Sequence, residues 1–297
     1  LRNLIFTLKL IVSLGKALRI VGGFKHDVAV GVGGYASYPT LATASWLGTP
    51  GLIQEQNSYA GVTNKMLKVT VDKVCVAYPG MERYFPKEKI IFTGNPVRQD
   101  LLELGDKKAA ALAHFGFSAD KPVVVITGGS LGARTLNDAM SANLASLQAA
   151  DDVQILWQAG KLYIEEFSQS ETAALPGVKI VAFIDRMDLA YAMAEVVICR
   201  AGALTISELC LLGKPAILIP SPTGAEDHQT KNAMALVEKE AAILVKDQDA
   251  SAAMIDRALA LLRDEERLAQ LSRQIKTLAK PVAAETIARE VLGLAKR

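Results

Sequence analysis

Apolar positions along these 297 residues keep two periods that take turns. Short dense runs at 27–32, 51–53, 73–78 and 89–93 read as buried strands; between them the spacing opens to three or four residues, which predicts helices near 39–47, 60–69 and 96–104. The first of those helices stops at Gly48 with Pro50 behind it, a glycine exit followed by a residue that cannot continue a helix. A second series repeats the pattern, with strands near 122–127, 153–157, 178–183, 195–199, 215–219 and 241–245 and helices at about 132–149, 161–168, 187–193, 204–212 and 227–239. Strands alternating with helices require parallel sheets covered on both faces, and two series require two domains. The charged, alanine-rich stretch 103–120 breaks the pattern and reads as the linker. The expected division is 1–110, 111–280 and a terminal amphipathic helix in 281–297, which Pro281 sets off from a helical tail over 250–279 and which is expected to pack back on the first domain.

Residues 1–21 add an amphipathic helix. Leu1, Leu4, Ile5, Leu8, Ile11 and Val12 keep helical spacing, Arg2, Lys9 and Lys16 share one face with Arg19 beside them, and no acidic residue precedes Asp27. Taken as a pattern alone, this is a helix that packs on its domain with its lysines in water. A one-signed basic helix with a broad apolar face also suits an anionic membrane surface.

Composition removes several classes. With 51% hydrophobic and 22% charged residues the chain is neither disordered nor low in complexity. Its 33 basic and 31 acidic residues lack the excess of a nucleic-acid binder, so no nucleic-acid partner is expected. Cys75, Cys199 and Cys210 show neither zinc spacing nor a disulfide framework and read as reduced core thiols, and the dispersed His26, His114 and His228 predict no metal site. No apolar run reaches the roughly 18 residues of a membrane-spanning helix. The chain opens on Leu1 without a secretory signal, which reads as a chain missing its true beginning.

Three glycine-rich turns follow strands. Gly128-Gly129-Ser130-Leu131-Gly132-Ala133 precedes a helix and forms a phosphate cradle, in which small residues let backbone N–H groups and a helix N-terminus approach an anion. It lacks the Gly-Lys-Ser/Thr ending of a P-loop, which disfavours ATP hydrolysis. Arg200-Ala201-Gly202-Ala203-Leu204-Thr205 repeats the logic, with Glu208 either closing a capping box from Thr205 or bridging the hydroxyls of a ribose. Gly31-Val32-Gly33-Gly34-Tyr35-Ala36 with Glu55 also fits a dinucleotide fingerprint. Polar clusters at 54–57 and 226–232, and Arg98 after Gly94-Asn95-Pro96, sit where strands hand over to helices, the position of ligand sites in open α/β sheets.

Seven stretches in order carry a closer likeness: GVGGYASYP (31–39), QEQNSYAGVTNK (54–65), GNPVR (94–98), GGSLGARTLN (128–137), FIDRMDLAY (183–191), CRAGALTISEL (199–209) and EDHQTKNA (226–233). With them the chain resembles the MurG family, the UDP-N-acetylglucosamine transferases that make lipid II in bacterial cell-wall synthesis. The resemblance implies an α/β GT-B fold, two Rossmann-like parallel-sheet domains facing across a cleft, here with the first domain incomplete. It implies inverting transfer of GlcNAc from UDP-GlcNAc, a substrate rather than a cofactor, to the 4-hydroxyl of MurNAc in lipid I, with no cofactor and no metal. Ile184 would meet the uracil through its backbone. Ala203, Leu204 and Thr205 would offer amides to the diphosphate, with Ile206 and Ser207 in the same donor-binding stretch. Glu208 would hold the ribose, Gln229 with His228 would contact GlcNAc, and Asn57, Arg98 and Ser130 would complete the donor site. Gly33, Gly34 and Tyr35 would face the diphosphate of the acceptor, and Glu55 is the local candidate for the base that takes the proton of the attacking hydroxyl, the alternative being a structural carboxylate bonded to backbone amides. The resemblance also turns residues 1–21 toward an anionic inner-membrane surface, as a peripheral protein of the cytoplasmic face, with other cell-wall synthesis proteins as further partners.

Two departures stand out. Gln54 occupies the place where the family usually carries His, and the strand and glycine-rich loop with which the family opens are missing, so UDP-sugar contacts are expected to be largely intact and catalysis weak or absent. The competing readings are a UDP-GlcNAc 2-epimerase-like enzyme of the same fold class, an NAD-dependent oxidoreductase resting on 31–36 with Glu55, and a membrane-bound scaffold.

Overall fold

The computed structural model describes residues 2–101 and 107–296. It separates into two compact units, one formed by the chain up to Pro96 together with the chain from Lys280 on, the other by Val97–Ala279.

In the first unit α1 (Arg2–Gly23) leads to β1 (Ala29–Gly31), α2 (Ser37–Trp46), β2 (Gly51–Glu55), α3 (Val62–Leu67), β3 (Lys73–Val76) and β4 (Ile90–Phe92). The strands form a parallel sheet in the order β1-β2-β3-β4. Leu41, Ile53, Leu67, Val74, Val76 and Phe85 make the core on one face. All of β2 is buried, as expected of a strand covered on both sides, and it ends with Gln54 and Glu55 at the carboxyl edge of the sheet.

The second unit runs α4 (Lys108–Phe115), β5 (Val123–Thr127), α5 (Arg134–Ala142), α6 (Leu144–Ala149), β6 (Gln154–Gln158), α7 (Ile164–Phe167), β7 (Val178–Val181), α8 (Met187–Met193), β8 (Ala194–Cys199), α9 (Ala203–Leu212), β9 (Ala216–Leu218), α10 (His228–Val237), β10 (Ile243–Leu244), α11 (Ala250–Leu262) and α12 (Glu265–Thr277). Its six parallel strands lie in the order β10-β9-β8-β5-β6-β7. The order reverses between β5 and β8, a topological switch point, so the loops leaving those two strands diverge and open a crevice. The chain then returns to the first unit as α13 (Ala283–Ala295), whose Leu294 packs on Leu52 and Cys75 of the first sheet.

Strands fall where the pattern places them, and the differences are helical. Of the helix expected at 96–104, the described residues 96–101 hold one 3₁₀ turn at Gln99–Leu101, and 102–104 lie outside the described residues. The stretch read as linker contains α4, whose Ala111, Leu112 and Phe115 are buried, whose exit is Gly116 at φ 73°, and which packs on α8. The boundary therefore lies at Pro96/Val97 rather than at 110/111. The tail over 250–279 breaks at Asp264, whose carboxylate accepts from Arg267 N at 2.9 Å and caps α12. Asp264→Ala is expected to cost about 1 kcal/mol, read as a melting temperature lower by about 2–4 °C.

Helix α1 packs on α2 through its Val21 end, yet Leu8, Ile11 and Val12 are 56%, 60% and 56% exposed. The reading of a wholly core-packing helix is thus corrected: its apolar stripe is wider than the α2 face that covers it. The expectations for Leu1, Leu4 and Ile5 lie outside the residues whose side chains are described.

Candidate functional site

The switch point of the second sheet opens into a cavity of about 710 Å³, within the range of small-molecule sites. Three glycine-, serine- or proline-bearing segments supply much of its wall. The loop after β5, Gly128–Ala133, supplies Gly129, Ser130 and Gly132; the start of α9 supplies Gly202, Thr205 and Glu208; the segment after β9 supplies Ser221, Pro222 and Thr223, with Gln229 of α10. Gly132 cannot be replaced without moving the backbone. It sits at φ +88°, and a Cβ there would lie 2.1 Å from the Ala159 carbonyl oxygen. The close approach holds the loop against the residue that follows β6; within the turn Gly129 N donates to Thr127 Oγ1 at 3.2 Å and Gly132 N to Gly129 O at 3.0 Å.

Helix α9 starts at Ala203 with Gly202 in extended backbone before it (φ −68°, ψ 144°). The helix thus begins two residues before the Thr205 that a capping box would need, and Glu208 lies in its second turn, which rules that box out. Its carboxylate instead accepts from the Tyr191 hydroxyl at 2.9 Å, with Arg98 Nε 4.0 Å from the other oxygen. Burial pushes the Glu208 carboxyl above its ordinary value, against the opposing pull of Tyr191 and Arg98. Helical spacing puts Gly202, Thr205 and Glu208 on the cavity face and turns their neighbours away. Ile206 is buried in the core at 2% exposure, Leu204 is exposed, and the Ser207 hydroxyl donates to the Ala203 carbonyl at 2.9 Å.

Arg200 at the end of β8 donates to the carbonyls of Ile219 and Pro220 at 3.1 and 3.3 Å and pairs with Asp247, which also accepts from Thr135 at 3.1 Å. Its charge is spent inside the wall, tying β8 to the segment after β9. Gln158, at the end of β6 and 3% exposed, makes the other cross-link: its Nε2 donates to Thr127 Oγ1 and Gly129 O, and its Oε1 accepts from Ile184 N at 2.8 Å. Ile184 itself is buried. The side chain of Gln229 accepts from Ser221 N at 2.9 Å, while His228 lies beside Glu226, 3.5 Å away. Glu226 and Asp227 both hold left-handed backbone before α10, a conformation that β-carbons disfavour.

In the first unit Glu55 is 2% exposed, and its two oxygens are occupied. One accepts from Asn57 N at 3.0 Å and Asn57 Nδ2 at 3.4 Å, the other from Gly61 N at 2.9 Å and Asn64 Nδ2 at 2.8 Å. Such a carboxylate fastens the loop 56–64 to the end of β2. This is the structural alternative to the catalytic base expected for Glu55, and it also leaves no oxygen for the ribose of a dinucleotide. Gln54 donates to Asn95 Oδ1 at 2.7 Å. Gly33 and Gly34 take φ of +86° and +77° after β1, and Tyr35 is 89% exposed.

The cavity thus gathers Ser130, Thr205, Glu208 and Gln229, with Arg98 beside Glu208; Ile184, Ala203, Leu204, Ile206, Ser207 and His228 are not among its lining residues. The motif reading missed Tyr191, Gln158, Phe183 and Met187, the last two of which line the same cavity as Tyr191. The stretch FIDRMDLAY held three of them in plain view, and the polar Gln158 closing an apolar strand was the signal for the fourth. The cysteines are buried, and burial pushes their thiols up to about 11 for Cys75 and about 12 for Cys199 and Cys210. Among the described residues, no three His, Cys, Asp or Glu side chains group as metal ligands.

Comparisons with known proteins bear on the fold and the family. The model of the glycosyltransferase family 28 C-terminal domain matches residues 123–287, and that of its N-terminal domain residues 2–76. The UDP-N-acetylglucosamine–N-acetylmuramyl-(pentapeptide) pyrophosphoryl-undecaprenol N-acetylglucosamine transferase of Bacteroides thetaiotaomicron is 52% identical over 297 residues, 99% of this chain and 80% of that protein. The crystal structure of Acinetobacter baumannii MurG superposes with a TM-score of 0.78 at 30% identity, over 97% of this chain and 80% of that one. The Neisseria meningitidis UDP-GlcNAc 2-epimerase, solved bound to UDP-GlcNAc, superposes with a TM-score of 0.70 at 13% identity over 96% of this chain and 81% of its own, a likeness of fold alone.

Proposed function

This chain belongs to the MurG family within glycosyltransferase family 28, and on that premise we propose how its residues divide the transfer of a sugar. It is a UDP-GlcNAc-dependent transferase of GT-B fold that moves GlcNAc onto the undecaprenyl-linked MurNAc-peptide, lipid I, and so makes lipid II for peptidoglycan. The donor site is the cavity of the second unit. The observation that carries this assignment is the pairing of a cleared glycine loop with the mouth of α9 at a topological switch point, with an acid one helical turn behind it.

In this reading the diphosphate lies between the Gly129–Gly132 loop and the first turn of α9. The aligned amides and helix dipole stabilise the negative charge that grows on UDP as the sugar leaves, and they stand in place before the reaction begins. Glu208 accepts from the ribose hydroxyls. The N–H of Ile184 is already given to Gln158, so its carbonyl is the group left to accept from the uracil imide. Gln229, Ser130 and Arg98 complete the donor contacts, with His228 at the GlcNAc side of the same helix start. The acceptor hydroxyl attacks the anomeric carbon opposite the departing UDP: the bond to UDP breaks as the glycosidic bond forms, the carbon is inverted, and the hydroxyl proton is released to water. Glu55 takes no part in the proton transfer, being consumed by its loop, and Gly33, Gly34 and Tyr35 meet the acceptor's diphosphate. The organic chemistry asks for no cofactor.

The test is incubation with UDP-GlcNAc, with and without a lipid I analogue. GlcNAc incorporation that depends on the acceptor is expected; formation of UDP-ManNAc without acceptor would favour the epimerase reading instead.

The exposed stripe of α1 fits a peripheral contact with an anionic leaflet, on the side where the lipid-linked acceptor is met. Leu8, Ile11, Val12 and Leu18 share one arc of the helix, and Lys9 and Lys16 flank it. No helix among the described residues is long and apolar enough to cross a membrane. Ile11→Asp with Leu18→Asp is expected to weaken sedimentation with phosphatidylglycerol vesicles by about five- to tenfold, since both side chains then resist burial. Unchanged sedimentation would remove α1 from the contact.

A further inference from the structure

A carboxylate that grips two vicinal hydroxyls must meet two conditions: it must be ionised, so that both oxygens accept, and its plane must be fixed toward the sugar. Glu208 sits where neither is assured. Its side chain is only 17% exposed, burial favours its neutral form, and a glutamate has three rotatable bonds to lose. The structure supplies one short contact that meets both needs: the Tyr191 hydroxyl donates to Glu208 Oε2 at 2.9 Å. Tyr191 is 1% exposed and held in the core by the packing of α8, so its hydroxyl is a donor of fixed position. Burial, first of all, pushes its own pKa well above the ordinary 10, so it keeps its proton wherever the transferase works. With Oε2 held on one side, Oε1 and the second lone pair of Oε2 remain for a ligand. The same short helix begins just past Ile184 and carries Met187 into the cavity, so the element that aims Glu208 also frames the nucleobase side.

We propose that Tyr191 is a positioning residue for the donor: it holds Glu208 as a fixed acceptor for the 2′- and 3′-hydroxyls and so sets the preference for ribonucleotide over 2′-deoxyribonucleotide diphosphates. The proposal rests on the reading that Glu208 binds the ribose. The other groups that face Glu208 are Arg98 and Asp100, on the segment before α4, and Cys199 at the end of β8. Arg98 pulls the carboxyl toward the charged form and Asp100 pushes it back, while burial keeps the Cys199 thiol at about 12 and neutral. Tyr191 is the only one of these that also fixes direction with a hydrogen bond.

The test is calorimetric titration of UDP and 2′-deoxy-UDP into the wild type, Tyr191→Phe and Glu208→Gln between about pH 5 and 8, with melting curves alongside. Phenylalanine keeps the buried ring and removes only the donor. Tyr191→Phe is expected to lose about five- to tenfold in UDP affinity and little in 2′-deoxy-UDP affinity, so the ratio of the two falls. Without the hydroxyl the charged carboxylate is less favoured, its pKa rises, and the loss of UDP affinity on acidification begins at a higher pH than in the wild type. If Tyr191→Phe keeps both the ratio and the pH profile while Glu208→Gln loses the ratio, the positioning role is wrong and the ribose reading survives. If both affinities fall alike with the melting temperature, Tyr191 is structural only and the proposal is overturned. If Glu208→Gln leaves the ratio untouched, the ribose reading fails and takes this one with it.

Discussion

Replacing Glu208 by alanine is expected to weaken UDP-GlcNAc binding by about ten- to a hundredfold, the worth of roughly 1.5–3 kcal/mol for hydrogen bonds to a charged group. The melting temperature is expected to move little, for two opposed reasons. The variant strands the Tyr191 hydroxyl without its acceptor, but it also removes a carboxylate that burial penalises. The sign of that second effect follows from proton linkage. A carboxyl whose pKa is raised in the folded state binds protons more readily folded than unfolded, so its charged form costs stability as pH rises through the shifted pKa. Binding runs the other way, because the ribose needs the charged form: donor affinity in the wild type falls as pH drops through the same window. A residue kept for stability alone would show the reverse pairing, a lower melting temperature and an unchanged affinity by calorimetry.

Glu55→Ala is expected to fail by unfolding rather than by chemistry. The carboxylate is the acceptor for Asn57 N, Asn57 Nδ2, Gly61 N and Asn64 Nδ2, in a site 2% exposed. Removing a buried charged acceptor of that kind costs about 3–5 kcal/mol, enough to lower the melting of the first unit by more than about 10 °C. Nucleotide binding belongs to the other unit and is expected to persist at temperatures below that transition. A variant that melted like the wild type, bound UDP-GlcNAc and had lost only turnover would restore Glu55 as the base.

These two acids show what was legible in the sequence and what was not. Glu55 at the end of β2, and Glu208 inside the helix that follows β8, were placed by the alternation of short apolar runs with helical spacing, which also located the strands of the described residues. Glycine loops marked the cradle because only glycine tolerates Gly132's backbone angle and its approach to Ala159. What each acid does was not legible. Glu208 had two roles open until the start of α9 was placed two residues ahead of Thr205, and Glu55 had two until its four donors were seen. Such choices are made by partners distant in sequence: Tyr191 reaches Glu208 across 17 residues, and Gln158 reaches Ile184 across 26. Alanines and charges between 103 and 120 read as a linker because composition alone does not register that α4 has α8 to pack on. For α1 the pattern left packing and membrane contact both open, since amphipathicity shows that a face wants cover and not what provides it.

The most direct measurement of the central claim is a crystal structure of the chain with UDP-GlcNAc bound. The account predicts the diphosphate between the Gly129–Gly132 loop and the first turn of α9, with the ribose hydroxyls on Glu208. A nucleotide seated away from that cavity, or one whose diphosphate makes no contact with either turn, would contradict it.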